Sequence, residues 1–148
     1  MASEYQPLFN PGLHDIDYSD FDKLFIDPFS NSPQRAQVGE RFKVFISKLS
    51  EVGINLEVWV DGSFSTSKPD PADVDVAIFY NPDEVNALPG DKIELLKFLV
   101  GDNGVTKARF KCDVYFLPIT DQNLRSYWRG WFGFSRQETP KGIPRFVI

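Results

Sequence analysis

The chain has 148 residues, 42% of them hydrophobic, and a formal net charge of −5, which is apolar material for one ordinary core and an expectation of a single domain over 1–148. Its one cysteine, Cys112, excludes an intramolecular disulfide and argues against a cysteine-built metal site. No run approaches the roughly 20 apolar residues of a membrane span, and "MASEYQPLFNPGLHDIDYSD" is acidic and punctuated by prolines where a signal peptide needs a basic start and an apolar run. A protein of the cytoplasm with no membrane partner is expected.

In chain order, a short helix is predicted from about Ser19 to Phe25, with "DPFSNSPQ" as a linker. Ser32-Pro33 reads as an N-cap and first helical position, and Val38, Phe42, Phe45, Ile46 and Leu49 recur at helical spacing until Gly53. Leu56, Val58 and Val60 alternate with polar or aromatic neighbours, as a half-buried strand over 55–61 does, and Val74, Val76 and Ile78 repeat the pattern. After "NPDEVNALPGD", "KIELLKFLVG" reads as helix and "KARFKCDVYFLPI" as a long strand with Lys107, Arg109, Lys111 and Asp113 on one side. Asp121 caps a last helix containing "NLRSYWRGWF", and Ile143 to Ile148 closes the chain as an edge strand. The expected fold is α/β (α+β), a small twisted mixed sheet with helices packed on one face.

The charge is unevenly distributed. Residues 1–103 hold 8 Lys/Arg against 18 Asp/Glu, and residues 104–148 hold 8 against 3. A basic segment on an acidic body suits a triphosphate or a strand of RNA, or is simply solvated surface. Arg125, Arg129, Arg136 and Lys141 are the cations this places near a polyanion.

The chemistry concentrates in "VWVDGSFSTSKPDPADVDVAIFY". Strand side chains alternate with period two, so Asp73 and Asp75 share a face opposite Val74, Val76 and Ile78. Two carboxylates that close repel, and they are tolerated on a wet face or around a divalent cation. Asp113, on another strand, would bring a third oxygen, and three such acids suit Mg²⁺ with its waters and substrate phosphates. Gly62 lets the backbone approach a ligand closely, while Ser63, Ser65, Thr66 and Ser67 offer hydroxyls and N–H groups to phosphate, with Lys68 as counter-charge. A metal-chelated nucleoside triphosphate needs both parts.

On these residues the sequence resembles the nucleotidyltransferase superfamily that includes DNA polymerase beta, in particular its minimal single-domain bacterial members. Gly62-Ser63, nine intervening residues, Asp73-Val74-Asp75 and Asp113 in "KCDVYF" follow that signature. The motif core is about 33–117, and the flanks 1–32 and 118–148 have no assigned role.

The resemblance implies a nucleotidyltransferase-like fold and two-metal transfer of a nucleoside monophosphate, with Mg²⁺ (or Mn²⁺) as cofactor and ATP as the favoured donor. Asp73, Asp75 and Asp113 would be the catalytic and metal-binding residues, and Gly62, Ser63, Thr66 and Lys68 would bind the phosphates. The acceptor would be a hydroxyl of a protein, such as a toxin in a toxin–antitoxin or phage-defence pair, slightly favoured over tRNA because an acidic body repels RNA. The alternative is a non-catalytic nucleotide- or toxin-binding antitoxin module on the same fold.

Other readings compete. The Asp-x-Asp of glycosyltransferases typically ends an apolar strand, whereas "DVDVAIFY" begins one. An EF-hand loop is rejected because Ser and Lys stand where its ligands belong. A Ser/Pro-rich hairpin with incidental acids requires three acids to meet a Gly-Ser turn by chance. His14 reads as a surface or capping residue and Cys112 as a small core hydrophobe. Tyr127, Trp128, Trp131, Phe132 and Phe134 read first as packing for the last helix and second as a stacking surface for a base.

Overall fold

The computed structural model describes residues 5–135 and 137–148. Its elements run β1 Gly12–Asp15, α1 Phe21–Phe25, α2 Pro33–Ser50, β2 Leu56–Asp61, β3 Val74–Tyr80, α3 Pro82–Asn86, α4 Gly90–Val100, α5 Asn103–Phe110, β4 Cys112–Pro118, α6 Gln122–Phe132 and β5 Gly142–Val147. The five strands form one mixed sheet in the order β1-β5-β2-β3-β4. This is the mixed α/β class expected from the sequence.

The ends of α2 follow from local chemistry. Ser32 accepts the Arg35 N–H, Pro33 fills the first turn, and Gly53, at φ +85°, stands just beyond the end. Its apolar stripe, Val38, Phe42, Phe45, Ile46 and Leu49, packs on Leu56, Val58 and Val60 of β2 and Val74, Val76 and Ile78 of β3. Residues from α1, α4 and α5 complete this larger core, to which β4 contributes the buried Cys112.

Three expectations need correction. The predicted long strand over 107–119 is a helix followed by a strand. Asp102 accepts the Val105 N–H and starts α5, and Lys111 ends it in the left-handed conformation at φ 57° before β4 begins at Cys112. The apparent alternation of Lys107, Arg109 and Lys111 is thus carried by a helix and its cap, with Thr106 and Phe110 on the buried side. The C-terminal strand is no edge, because β1 pairs parallel to it, Gly12 against Gly142 through Asp15 against Arg145. Finally, helices cover both faces: α6 lies on the second face, where Trp128 and Phe132 pack against Trp59, Ala77, Phe79 and Tyr115.

Candidate functional site: a carboxylate row on the second face

Strand register assembles the site. Antiparallel pairing sets Asp61 of β2 opposite Asp75 of β3, and parallel pairing sets Asp75 beside Asp113 of β4. The same period that turns Val74, Val76 and Val114 into the larger core turns these three acids to the other face. Asp73, two residues before Asp75, precedes β3 on the same side. The row continues along the sheet as Trp59–Ala77–Tyr115 and then Glu57–Phe79–Leu117. The α6 aromatics pack on these apolar positions.

Acids so placed are costly, and the protonation of Asp75 and Asp61 reflects it. Burial, followed by the charges of Asp73 and Asp113, raises the Asp75 carboxyl to about 6. Burial raises Asp61 to about 7, with the Lys141 ammonium at 2.7 Å holding it from going higher. The Lys107 ammonium stands 3.3 Å from Asp73. Asp113 accepts a 2.6 Å hydrogen bond from Asn103 Nδ2, whose Oδ1 in turn accepts the Val114 N–H, so the first residue of α5 fixes this carboxylate.

Gly62 lies where β2 meets this row. It sits at φ +75°, and a Cβ there would fall 2.2 Å from Asp75 Oδ2. Glycine therefore meets two demands at once, a left-handed backbone and contact with a carboxylate. The following residues form a 3-10 turn, Gly62–Ser65, in which Ser65 Oγ donates to the Gly62 carbonyl.

The residues expected to bind phosphate differ in availability. Ser63 and Lys68 are half-buried, and Lys68 has no carboxylate within ion-pair distance among the described residues. The Thr66 hydroxyl is committed to the turn, donating to the Ser63 carbonyl at 2.7 Å and accepting the Lys68 N–H at 3.2 Å. Asp73, Asp75 and Asp113 are brought to one end of one face, beside Gly62 and Ser63.

The described residues contain no group of three His, Cys, Asp or Glu side chains already gathered to hold a metal ion. Ammonium groups meet two of the four carboxylates, Lys107 at Asp73 and Lys141 at Asp61. The donor set fits a hard divalent cation, being entirely carboxylate oxygen.

Two features escaped the sequence reading. Asp61 is a fourth acid in the row, and Arg35 is fully buried beneath the Gly62–Pro71 loop. Arg35 Nη1 donates to the carbonyls of Phe25 and Phe64, and Nη2 to those of Thr66 and Lys68. Its spacing from Val38 within an amphipathic helix was the available signal, since it falls on the apolar stripe.

Three of the eight cations in the basic C-terminal third are neutralised inside the fold. Glu57, 6% exposed, accepts from Arg125 at both oxygens and from Arg145, which also meets Asp15. Arg125 and Lys141 thus face internal carboxylates; Arg129 is exposed, and Arg136 lies outside the described residues. Trp128 and Phe132 pack as expected, whereas Tyr127, Trp131 and Phe134 are exposed. His14 Nε2 donates to the Asn10 carbonyl at 2.6 Å. A surface hollow between α4 and α5, lined by Phe98, Val105 and Arg109 among others, includes none of the four carboxylates. Among the described residues no helix is long and apolar enough to cross a membrane.

No curated protein and no solved structure matches the chain. A family model does match residues 1–146, nearly the whole chain, and the protein accordingly belongs to the family described as a family of unknown function (DUF6932).

Proposed function

We propose that this protein is a nucleotidyltransferase that moves a nucleoside monophosphate, with ATP the favoured donor, onto an acceptor hydroxyl. The observation that carries this reading is the junction of Gly62 with the carboxylate row: the Gly-Ser turn closes directly on Asp75, whose strand neighbour is Asp113. Phosphate donors and acid side chains meet there at one sheet end.

Asp73, Asp75 and Asp113 would hold Mg²⁺ or Mn²⁺, which supplies charge neutralisation for the triphosphate and acidity for the acceptor hydroxyl. The remaining roles belong to the chain. Ser63 and the Gly62–Ser63 backbone orient the outer phosphates, and Lys68 adds a cation on the loop side. Asp113, fixed by Asn103, takes the proton of the acceptor hydroxyl on the oxygen that Asn103 leaves free. The hydroxyl oxygen forms the new bond to the α-phosphorus, the bond to the bridging oxygen breaks, and pyrophosphate carries away the electron pair.

A protein acceptor is favoured over RNA. The internal pairing of Arg125, Lys141 and Arg145 takes three of the eight C-terminal cations out of the basic stripe that a polynucleotide would need. Incubation with each of the four nucleotides labelled at the α-phosphorus, with Mg²⁺ and a lysate of the host, tests the proposal. Label retained on a protease-sensitive acceptor, and absent with Asp75→Asn, is the expected result. Label on an RNase-sensitive acceptor would move the assignment to RNA, and no label under any metal or nucleotide would replace catalysis with binding alone.

A further inference from the structure

We propose that Arg35 is a positioning residue for nucleotide binding, holding the Gly62–Pro71 loop in its ligand-ready shape; this rests on the nucleotide reading above. The geometry is unusual in kind. A guanidinium with no exposed surface has no carboxylate partner among the described residues, and its hydrogen bonds go to four backbone carbonyls at 2.6 to 3.3 Å. Three of them, on Phe64, Thr66 and Lys68, belong to the one loop that links the Gly-Ser turn to Asp73. The guanidinium also lies over the Phe29 ring, 3.9 Å from its centroid.

The same loop is sewn down along its other side. Ser67 N–H donates to the Gln6 carbonyl and Leu8 N–H to the Ser65 carbonyl, so the carbonyls of Phe64, Thr66 and Lys68 face Arg35 while that of Ser65 faces the N-terminal segment. The first turn of α2 secures the far end, where Ser32 Oγ donates to Asp70 and Gln34 Nε2 to the Pro71 carbonyl. Both ends of the loop enter the site, Gly62 against Asp75 and the chain after Pro71 leading into Asp73. Fixing the loop therefore fixes the spacing between phosphate donors and carboxylates.

A buried cation is an expensive way to gain stability alone. Taking the charge out of water is costly, and a well-packed apolar residue of similar volume is often as stabilising. What an apolar side chain lacks is four directed bonds to carbonyls. Those bonds settle the loop's ordering before a ligand arrives, so that binding does not bear that entropy.

The test compares the full-length protein with Arg35→Lys, which keeps the charge but offers donors from one point where the fork reached four acceptors. Both are titrated with ATP in Mg²⁺ by calorimetry, at a temperature where circular dichroism finds each folded. Hydrogen exchange of residues 62–71 is followed without ligand. The expected result is ATP binding weakened about tenfold or more, faster exchange confined to the loop, and a raised KM with little change in kcat. If Arg35→Lys does not fold, the pair Gln34→Ala/Asp70→Ala, which frees the Asp70–Pro71 end and leaves the Ser32 cap of α2 in place, is expected to weaken ATP severalfold. A lower Tm with unchanged ATP affinity in the folded variants would overturn the inference and leave Arg35 a stability residue. Failure of the wild type itself to bind ATP would overturn the nucleotide reading and the inference with it.

Discussion

Replacing Gly62 with alanine perturbs the backbone and the site together. At φ +75° an L side chain costs about 1–2 kcal/mol. The new Cβ would lie 2.2 Å from Asp75 Oδ2 and 2.8 Å from its Cγ, so that carboxylate must leave its rotamer, at about 0.5–1.5 kcal/mol more. The sum, about 1.5–3.5 kcal/mol, corresponds to a Tm lower by about 5–11 °C for a domain of this size. Asp75 displaced from Asp113 should also lose nucleotide binding. Gly62→Asn separates the two effects, because Asn tolerates the left-handed backbone but brings the same Cβ. It should recover about 1 kcal/mol of stability and none of the binding, as read by thermal denaturation and ATP titration. Wild-type Tm and ATP affinity in Gly62→Ala would refute the reasoning.

Removing charge at the row should stabilise the fold while abolishing function: with Asp75 lifted to about 6 from an ordinary value near 4, the ionised form carries a penalty of about 2–3 kcal/mol, so Asp75→Asn should raise stability at pH 7 by about 1–2 kcal/mol after relaxation of its neighbours, measured by urea denaturation. The sign of the wild type's pH dependence follows, because a folded carboxyl that binds protons more tightly than the unfolded one contributes stability at low pH and loses it as pH rises; Asp75 and Asp61 should therefore make stability fall between about pH 4 and 7. Glu57 acts oppositely: burial alone would raise its carboxyl, but hydrogen bonds from Arg125, Arg145 and Trp59 bring it down to about 2, so its contribution is complete above about pH 4.5 and disappears as pH falls towards 2. Arg125→Ala should cost about 2–3 kcal/mol in chemical denaturation, less than the roughly 3–5 kcal/mol of a fully orphaned buried charge because Arg145 remains on Glu57.

Much of this arrangement is legible in the sequence because it is local. Ser32 and Asp121 announce their helices through the caps they form. Alternation around Asp73-Val74-Asp75 and around Asp113 places those acids opposite the core. What the sequence conceals is long-range pairing. Asp61 joins the row only because β2 and β3 align it with Asp75, and its Lys141 partner arrives from beyond α6. β1 is four residues long and exists by virtue of β5. The true start of α5 lies in "GDNG", a turn-like cluster whose Asp102 cap was masked by the alternating cations after it. Arg35 illustrates the same limit, since a charge on an amphipathic helix reads as surface until the loop that covers it is in place.

The central claim is that Asp73 and Asp75 bind a divalent cation together with a nucleoside triphosphate. Calorimetric titration of ATP into the wild type and into Asp73→Asn/Asp75→Asn, each with and without Mg²⁺ and again with Mn²⁺, tests it most directly. The account predicts saturable binding by the wild type that requires the metal, and none by the double variant, which stays folded with a Tm no lower than the wild type's. Equal, metal-independent binding by the two proteins, or no binding by the wild type to any of the four nucleotides with either metal, would contradict it.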